Sequence, residues 1–185
     1  MWPRKQTRDT QVLSGMMMKQ RRFEALVDAF QADLYRYAYW LCHDKTVAED
    51  IVQETYLRAW KALDSLQDEH AAKSWLITIL RRENARRFER KQFDLVDIDD
   101  FAVASEDGSP DTAIEQREIQ RHISALALEY REPLILQLIF GLSGDEIATQ
   151  LQLNKNTVMT RLFRARNQLK DALQPYSQQG GQQHG

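Results

Sequence analysis

The sequence predicts an all-α protein of two small helical domains joined by a flexible acidic linker, the second domain containing a helix-turn-helix. Three observations carry that expectation. Apolar residues recur at three- and four-residue spacing in several separate stretches, the pattern of helices with one buried face. The 185 residues include 7 glycines and 4 prolines, too few for turn-rich β structure, while 43% hydrophobic content is enough for real cores. Between the periodic stretches lies a run, 92–111, with seven acids and no base. Such a run cannot bury itself and is expected to be extended. The expected division is therefore a disordered tail (1–18), a helical domain (19–91), the linker (92–111), a second helical domain (112–174) and a disordered tail (175–185).

Residues 1–18 show no periodicity and end in Met16-Met17-Met18, so translation starts either at Met1 or at one of these later methionines. From Phe23 onward, Phe23, Leu26, Val27, Phe30, Leu34, Tyr37 and Leu41 define a first helix. Tyr35, Tyr39 and Trp40 lie off that stripe and either pack against a second helix or serve an interface. After the break at His43-Asp44-Lys45, Thr46 is placed to cap the next helix, with Glu49 three residues on. At about 100° per residue, Ile51, Val52, Tyr56, Ala59, Trp60 and Leu63 form its buried arc, and Asp50, Gln53, Glu54, Leu57 and Lys61 a narrow strip opposite. That strip is either a solvated face or a docking face. Leu57, apolar among Asp50, Gln53 and Glu54, favours an acidic surface built round an apolar anchor, suited to a basic partner helix.

A polar loop, 66–73, precedes Ser74, which is placed to cap a helix of mixed character. Trp75-Leu76-Ile77-Thr78-Ile79-Leu80 reads as core. Residues 81–91 carry six basic residues against two acids, and are either a track for nucleic-acid phosphates or a solvated surface. Beyond the linker, 113–126 reads as a helix, and Glu132-Pro133 starts another that ends at Phe140.

The most informative stretch is 142–166. Ser143 and Glu146 have the spacing of a capping box, and Ile147, Ala148 and Leu151 give a short helix one apolar face. Leu153 fits the turn, and Asn154 or Asn156 caps the second helix. Val158, Leu162, Ala165, Leu169 and Leu173 fall on one side of that second helix, with Thr160, Arg161, Phe163, Arg164 and Asn167 opposite. A short helix, a tight turn and a second helix with a polar, basic outer face make a helix-turn-helix, whose second helix lies in the DNA major groove. An ordinary helical hairpin with a charged face is the alternative. Arg164 is placed to fork onto a guanine edge or grip a phosphate, and Phe163 to meet a thymine methyl. Arg161 and Arg166 lie nearer the flanks, where they hold backbone or a neighbouring helix.

Several functions are excluded or disfavoured. One cysteine, Cys42, rules out a disulfide framework and a four-cysteine zinc site, and its apolar context suits a buried thiol. Four scattered histidines lack ligand spacing, so no metal and no cofactor are expected. No nucleophile–base pair or phosphate loop is visible, so the chain is not expected to be an enzyme. No apolar run reaches the roughly 18 residues of a membrane span, and the N-terminus lacks the apolar core of a secretory signal. No membrane insertion is expected, and the protein is expected to be cytoplasmic. A net charge of −2 argues against nucleic-acid binding only if charge is evenly spread, and here it is segregated.

Two stretches together resemble one family. The run from Ala48-Glu49-Asp50-Ile51-Val52-Gln53-Glu54 to Trp60, followed by Trp75-Leu76-Ile77-Thr78-Ile79, resembles the second conserved region of extracytoplasmic-function (ECF) sigma factors. Gly141-Leu142-Ser143, Glu146-Ile147-Ala148, Asn156-Thr157-Val158 and 161–166 resemble their fourth region. The likeness covers about 19–173, with both motifs in order across the acidic linker. It implies a dissociable subunit that directs bacterial RNA polymerase to promoters, in contact with the β′ clamp coiled coil and the β subunit and controlled by an anti-sigma factor. On that resemblance Asp50, Gln53, Glu54 and Leu57 meet the clamp. Trp75, Arg81, Arg82, Arg86, Arg87 and Arg90 belong to the segment that melts and reads the −10 element. Asn156, Thr157, Met159, Thr160, Arg161, Phe163 and Arg164 belong to the −35 reading helix, and the linker passes through basic channels of the polymerase. Arg82 stands where the family usually has asparagine, Met159 where it has lysine or arginine, and Asn156 where it has glycine. The chain shows no counterpart of the housekeeping family's regions for spacer and upstream DNA, so it is expected to need both promoter elements. The main rival is a conventional helix-turn-helix regulator that works without joining the polymerase.

Overall fold

The computed structural model describes residues 4–91 and 110–177, which are helical with short turns and contain no strand. The linker run 92–109, the last residues 178–185 and the first three lie outside the described residues. Contacts divide the chain into two compact units, one of residues 1–38 with 45–95 and one of residues 39–44 with 96–185.

The first unit is built from α1 (Arg4–Cys42), whose last residues from Tyr39 belong to the second, with α2 (Lys45–Ala62) and α3 (Ala72–Lys91) and 3₁₀ turns at Leu63–Ser65 and Glu69–Ala71. The stripe read from the sequence faces its core: Leu26, Leu34 and Tyr37 of α1 are buried with Ile51, Val52 and Ala59 of α2 and Leu76, Ile77 and Leu80 of α3. Phe23 sets its ring edge-on to Tyr56 and Trp60, with centroids 5.9 and 5.1 Å away. Trp60, expected in the buried arc, is 36% exposed at the margin of this cluster. Thr55 is wholly buried, and its hydroxyl donates to the Ile51 carbonyl at 2.7 Å, which lets a polar side chain sit in the core. Ser74 does not cap α3, which begins two residues earlier. Asp68 instead caps the preceding 3₁₀ turn, accepting from the His70 amide at 2.9 Å. Cys42 is half-buried rather than buried, its thiol donating to the Asp44 carbonyl at 3.3 Å.

The expected disordered tail is corrected over 4–18, where α1 is already helical. Lys19 pairs with Asp64 at 2.7 Å and lies over the Trp60 ring, and Arg22 donates to the Leu66 carbonyl, so packing fixes the helix from Lys19 onward. A helix nucleated there extends toward its N-terminus without a second nucleation cost, even past weak helix formers such as Thr7, Thr10, Val12 and Gly15. Val12, Leu13, Met16, Met17 and Met18 are exposed. The stretch shows no amphipathic period because nothing in its own unit covers it.

The second unit contains α4 (Pro110–Ala125), α5 (Leu128–Phe140), α6 (Gly144–Leu151) and α7 (Lys155–Ser177). Pro110 and Asp111, assigned to the linker, open α4. Proline's fixed φ suits the first helical position, and an acid favours the first turn. Pro175 to Ser177 likewise extend α7 beyond the expected boundary. α5 starts at Leu128 rather than Glu132, with Pro133 inside it. The proline removes one amide donor near the helix start, and the burial of Leu134, Ile135 and Leu136 holds the helix across it. Buried Arg131 donates to the carbonyls of Ser124 and Leu126 at 2.7 and 3.2 Å, satisfying groups left open where α4 ends.

Candidate functional site

Two surfaces, one in each unit, collect the residues singled out by the sequence. In the first unit, α2 and α3 lie side by side and flank an open cleft of about 350 Å³ lined by Asp50, Gln53, Glu54 and Leu57 from α2 and by Glu83, Arg86 and Arg87 from α3. Leu57 is 56% exposed at this cleft, the apolar anchor its position in the strip predicts. Asp50 and Gln53 are exposed and Glu54 half-buried.

The acids do not stand alone. Arg87 Nη1 is 3.2 Å from Asp50 Oδ2, and Arg58 Nη2 is 3.1 Å from Glu54 Oε1. Arg58 Nε is also 2.5 Å from Glu83 Oε1, which Arg86 Nη1 reaches at 2.9 Å. Glu83 is 7% exposed, so a buried carboxylate from α3 sits between guanidiniums of both helices. Its charge is compensated on two sides, as a buried acid requires. Sequence reading missed Arg58 and Glu83. Arg58 follows Glu54 at i+4, a pair worth little by itself, and Glu83 reads as a minor acid inside a basic run. Their meeting depends on how α2 lies on α3, which periodicity does not encode.

The six residues assigned to the −10 segment therefore divide. Trp75 is half-buried and packs against the buried cluster of Leu26, Leu63, Leu66 and Ala72. Arg86 and Arg87 face the acids at the cleft. Arg82 is exposed and Arg81 half-buried on other sides of α3, while the Arg90 side chain lies outside the described residues.

In the second unit the helix-turn-helix is built as its sequence signals indicate. Gly141, at φ +66°, ends α5 in the left-handed conformation, its amide donating to the Gln137 carbonyl at 3.0 Å. Ser143 and Glu146 form a reciprocal capping box: the Glu146 amide donates to Ser143 Oγ at 3.3 Å and the Ser143 amide to Glu146 Oε2 at 2.8 Å. α6 ends at Gln152, also left-handed, and the Leu153 amide donates back to the Ala148 carbonyl. Asn154, rather than Asn156, caps α7, accepting from the Thr157 amide at 2.7 Å. Lys155 pairs with Asp145 at 2.8 Å across the turn.

Val158, Leu162 and Ala165 bury one side of α7. That fixes Asn156, Met159, Thr160, Phe163 and Arg164 outward, with Met159 47% and Phe163 64% exposed. Thr157 is half-buried at the cap. A side chain at Gly144 would meet Met159 Sδ at 3.0 Å, so the absence of a Cβ there lets the methionine lie close to the start of α6. Thr160 Oγ1 donates to the Asn156 carbonyl at 2.9 Å. The arginines are steadied from α5: Arg161 pairs with Glu129 at 3.3 Å, Arg164 donates to the Tyr130 hydroxyl at 3.2 Å, and Arg166 to Gln137 Oε1. Arg161 and Arg166 thus hold a neighbouring helix.

Among the described residues no group of three or more histidine, cysteine or carboxylate side chains is placed to hold a metal, and no helix is long and apolar enough to cross a membrane.

Comparison with known proteins places both surfaces within matched segments. Residues 26–93 match the family described as sigma-70 region 2, and residues 116–169 match sigma-70, region 4. The chain is 35% identical over 156 residues to the ECF RNA polymerase sigma factor SigL of Mycobacterium tuberculosis, covering 81% of this chain and 88% of that protein. It is 28% identical over 152 residues to the ECF RNA polymerase sigma factor SigX of Bacillus subtilis, covering 77% and 78%. Among solved structures, the sigma factor RpoE in complex with the anti-sigma factor NepR from Bartonella quintana superposes with a TM-score of 0.68 at 28% identity, covering 84% of this chain and 96% of that one. CnrH in complex with the cytosolic domain of CnrY gives 0.62 at 26% identity, covering 84% and 90%.

Proposed function

The chain belongs to the ECF sigma factors of the sigma-70 family, and we propose that it binds core RNA polymerase in the cytoplasm and directs it to promoters by reading −10 and −35 elements. The observation that carries this is the pairing of two separate matches, to region 2 and region 4, in order along one chain. A conventional helix-turn-helix regulator accounts for α6 and α7 but not for the acidic cleft of the first unit. Transcription is the polymerase's chemistry. The chain contributes recognition.

Within this reading, Asp50, Gln53, Glu54 and Leu57 form the contact with the β′ clamp coiled coil, with the β subunit as a further polymerase surface. Support comes from Leu57, an exposed leucine ringed by acids at an open cleft. A basic helix would bury the leucine and exchange partners with Arg87 and Arg58. Such exposed pairs are worth at most about 1 kcal/mol each, so exchanging them costs little. α3 then lies along the −10 region and α7 enters the major groove at the −35 element with Met159, Thr160, Phe163 and Arg164 foremost. Asn156, Thr157 and Arg161 hold the helix start and flank. An anti-sigma factor is a further proposed partner, since the Bartonella quintana sigma factor RpoE, a relative of known structure, is held by one.

The test is run-off transcription from a genomic promoter library by core polymerase with and without the purified chain. Transcripts that depend on the chain and start downstream of a shared pair of elements support the proposal. Promoter binding by the chain alone, without comigration with core on a sizing column, favours the conventional regulator.

A further inference from the structure

We propose that Met159 is a specificity-determining residue that, together with Phe163, reads the C5-methyl groups of pyrimidines in the −35 duplex, a role that rests on the chain acting as a sigma factor. The two side chains stand one turn apart on the outer face of α7, 47% and 64% exposed. Residues four apart share a helix face. At about 1.5 Å of rise per residue they are roughly 6 Å apart along the axis, close to two base steps of duplex DNA.

The charges around them are already met. Residues 155–166 contain four cations. Lys155 pairs with Asp145 and Arg161 with Glu129. Arg164 leans on the Tyr130 hydroxyl and Arg166 on the Gln137 side chain. Thr160 turns its hydroxyl proton back onto the Asn156 carbonyl. Between these groups the face presents a thioether and a phenyl ring, neither with a proton to donate. Met159 is also held. Its sulfur lies where a Cβ on Gly144 would stand only 3.0 Å away, so the start of α6 supports one flank of the side chain. A methionine that only filled the α6–α7 turn would be closed. Here nearly half of the residue stays open.

In the major groove the base edges offer donors, acceptors and one apolar group, the methyl of thymine. A cation, which the family resemblance leads one to expect at this position, would fork onto guanine. Methionine has no such hydrogen bond to give, and a methyl is the group it can recognise. The methyl of 5-methylcytosine sits at the same ring position, so a methylated cytosine presents the same target. Contact with sugar alone would bury these side chains too, but it would be indifferent to the base. A second protein is the other class of occupant for two exposed apolar side chains. Their place on the second helix of the helix-turn-helix, beside Arg164, favours DNA.

Holoenzymes carrying the native chain, Met159→Ala, Met159→Leu or Phe163→Ala would be titrated with a promoter identified from the chain's own transcripts, with uracil replacing thymine at one −35 position at a time. Uracil removes the methyl and leaves the base pair. The native chain should lose about fourfold in affinity at each of two positions, the factor for burying one methyl-sized group. Met159→Ala should abolish the loss at one position and keep it at the other, and Phe163→Ala should do the reverse. Met159→Leu, apolar and of similar volume, should keep both methyl effects. Cytosine placed at the Met159 position should gain about fourfold on C5-methylation with the native chain, and nothing with Met159→Ala. Tolerance of uracil at every position, an element with no thymine on either strand, or both losses persisting in Met159→Ala would each overturn the proposal. A native holoenzyme that does not distinguish the −35 element from scrambled DNA would sink the sigma-factor reading instead, a different result from an element that is read without regard to methyls.

Discussion

On α3, Arg86 and Arg87 turn back onto acids of their own unit, Glu83 and Asp50. On α7, the outer face offers Met159, Phe163 and Arg164 to solvent, and its arginines are steadied by hydrogen-bonding and acidic groups on α5. Both helices look alike as charge patterns, and they are prepared for different events. The α2–α3 cleft is a charge-matched cluster, in which, on the proposed reading, a partner's cations would replace internal ones at small net cost. α7 is a preset face, its direction fixed by caps and by three residues buried on its inner side. Counting arginines therefore does not locate DNA contacts. Whether each guanidinium already has an acid opposite it decides what its removal does.

The largest effect is expected from reversing charge in the cleft. Asp50→Lys with Glu54→Lys places ammonium groups against Arg87 and Arg58 and against any basic partner helix. Replacing attraction by repulsion across a docked interface costs several kcal/mol, so core polymerase binding should fall by more than about a hundredfold. Both positions are at least partly solvated, so urea unfolding should shift little. Fluorescence anisotropy with labelled core measures the first quantity and circular dichroism the second. Undiminished core affinity would remove α2 from the polymerase interface.

The α2 strip was legible in the sequence because period alone separates Asp50, Gln53, Glu54 and Leu57 from the buried arc. The turn of the helix-turn-helix was legible because caps are local: Ser143 and Glu146 recognise each other three residues apart. Arg58 and Glu83 were not legible, since their encounter is set by the packing of two helices. The N-terminal extension of α1 and the position of Pro133 show local propensity giving way to continuation and burial, which no short window contains.

On the preset side, Arg164→Ala is expected to cost about 1–3 kcal/mol at the preferred −35 sequence and little at a scrambled one. The hydrogen bond to Tyr130 holds the guanidinium in place before DNA arrives. Tyr130→Phe should therefore give a smaller loss of the same kind. Holoenzyme affinity on both sequences distinguishes base reading from a phosphate grip, which would lower both equally.

Glu83→Ala is expected to act on the fold. It leaves Arg58 and Arg86 without their shared carboxylate, and both retain access to water, at 41% and 49% side-chain exposure. The cost is thus placed at about 1–2 kcal/mol, below that of breaking a fully buried pair. Urea unfolding of the full chain measures it as a lower midpoint, with the helix-turn-helix unit unaffected. An unchanged midpoint would mean that solvated arginines compensate for each other and that the cluster adds no stability.

The smallest effect is the most discriminating. Arg87→Ala removes a partly exposed partner of Asp50, and the pair is worth at most about 1 kcal/mol to the free chain. Its sign on function depends on where Arg87 goes in the holoenzyme. If the clamp takes over Asp50 and frees Arg87 to reach a phosphate, the variant binds all promoters slightly less well, and the slope of log affinity against log salt falls by about one. If Arg87 only shields Asp50, its loss leaves the slope alone and improves core binding, because the incoming cations no longer compete with it. A salt series on two unrelated promoters, run with a separate core titration, separates these outcomes. A flattened slope together with unchanged core affinity would establish that the charge cluster of α2 and α3 opens as the polymerase docks.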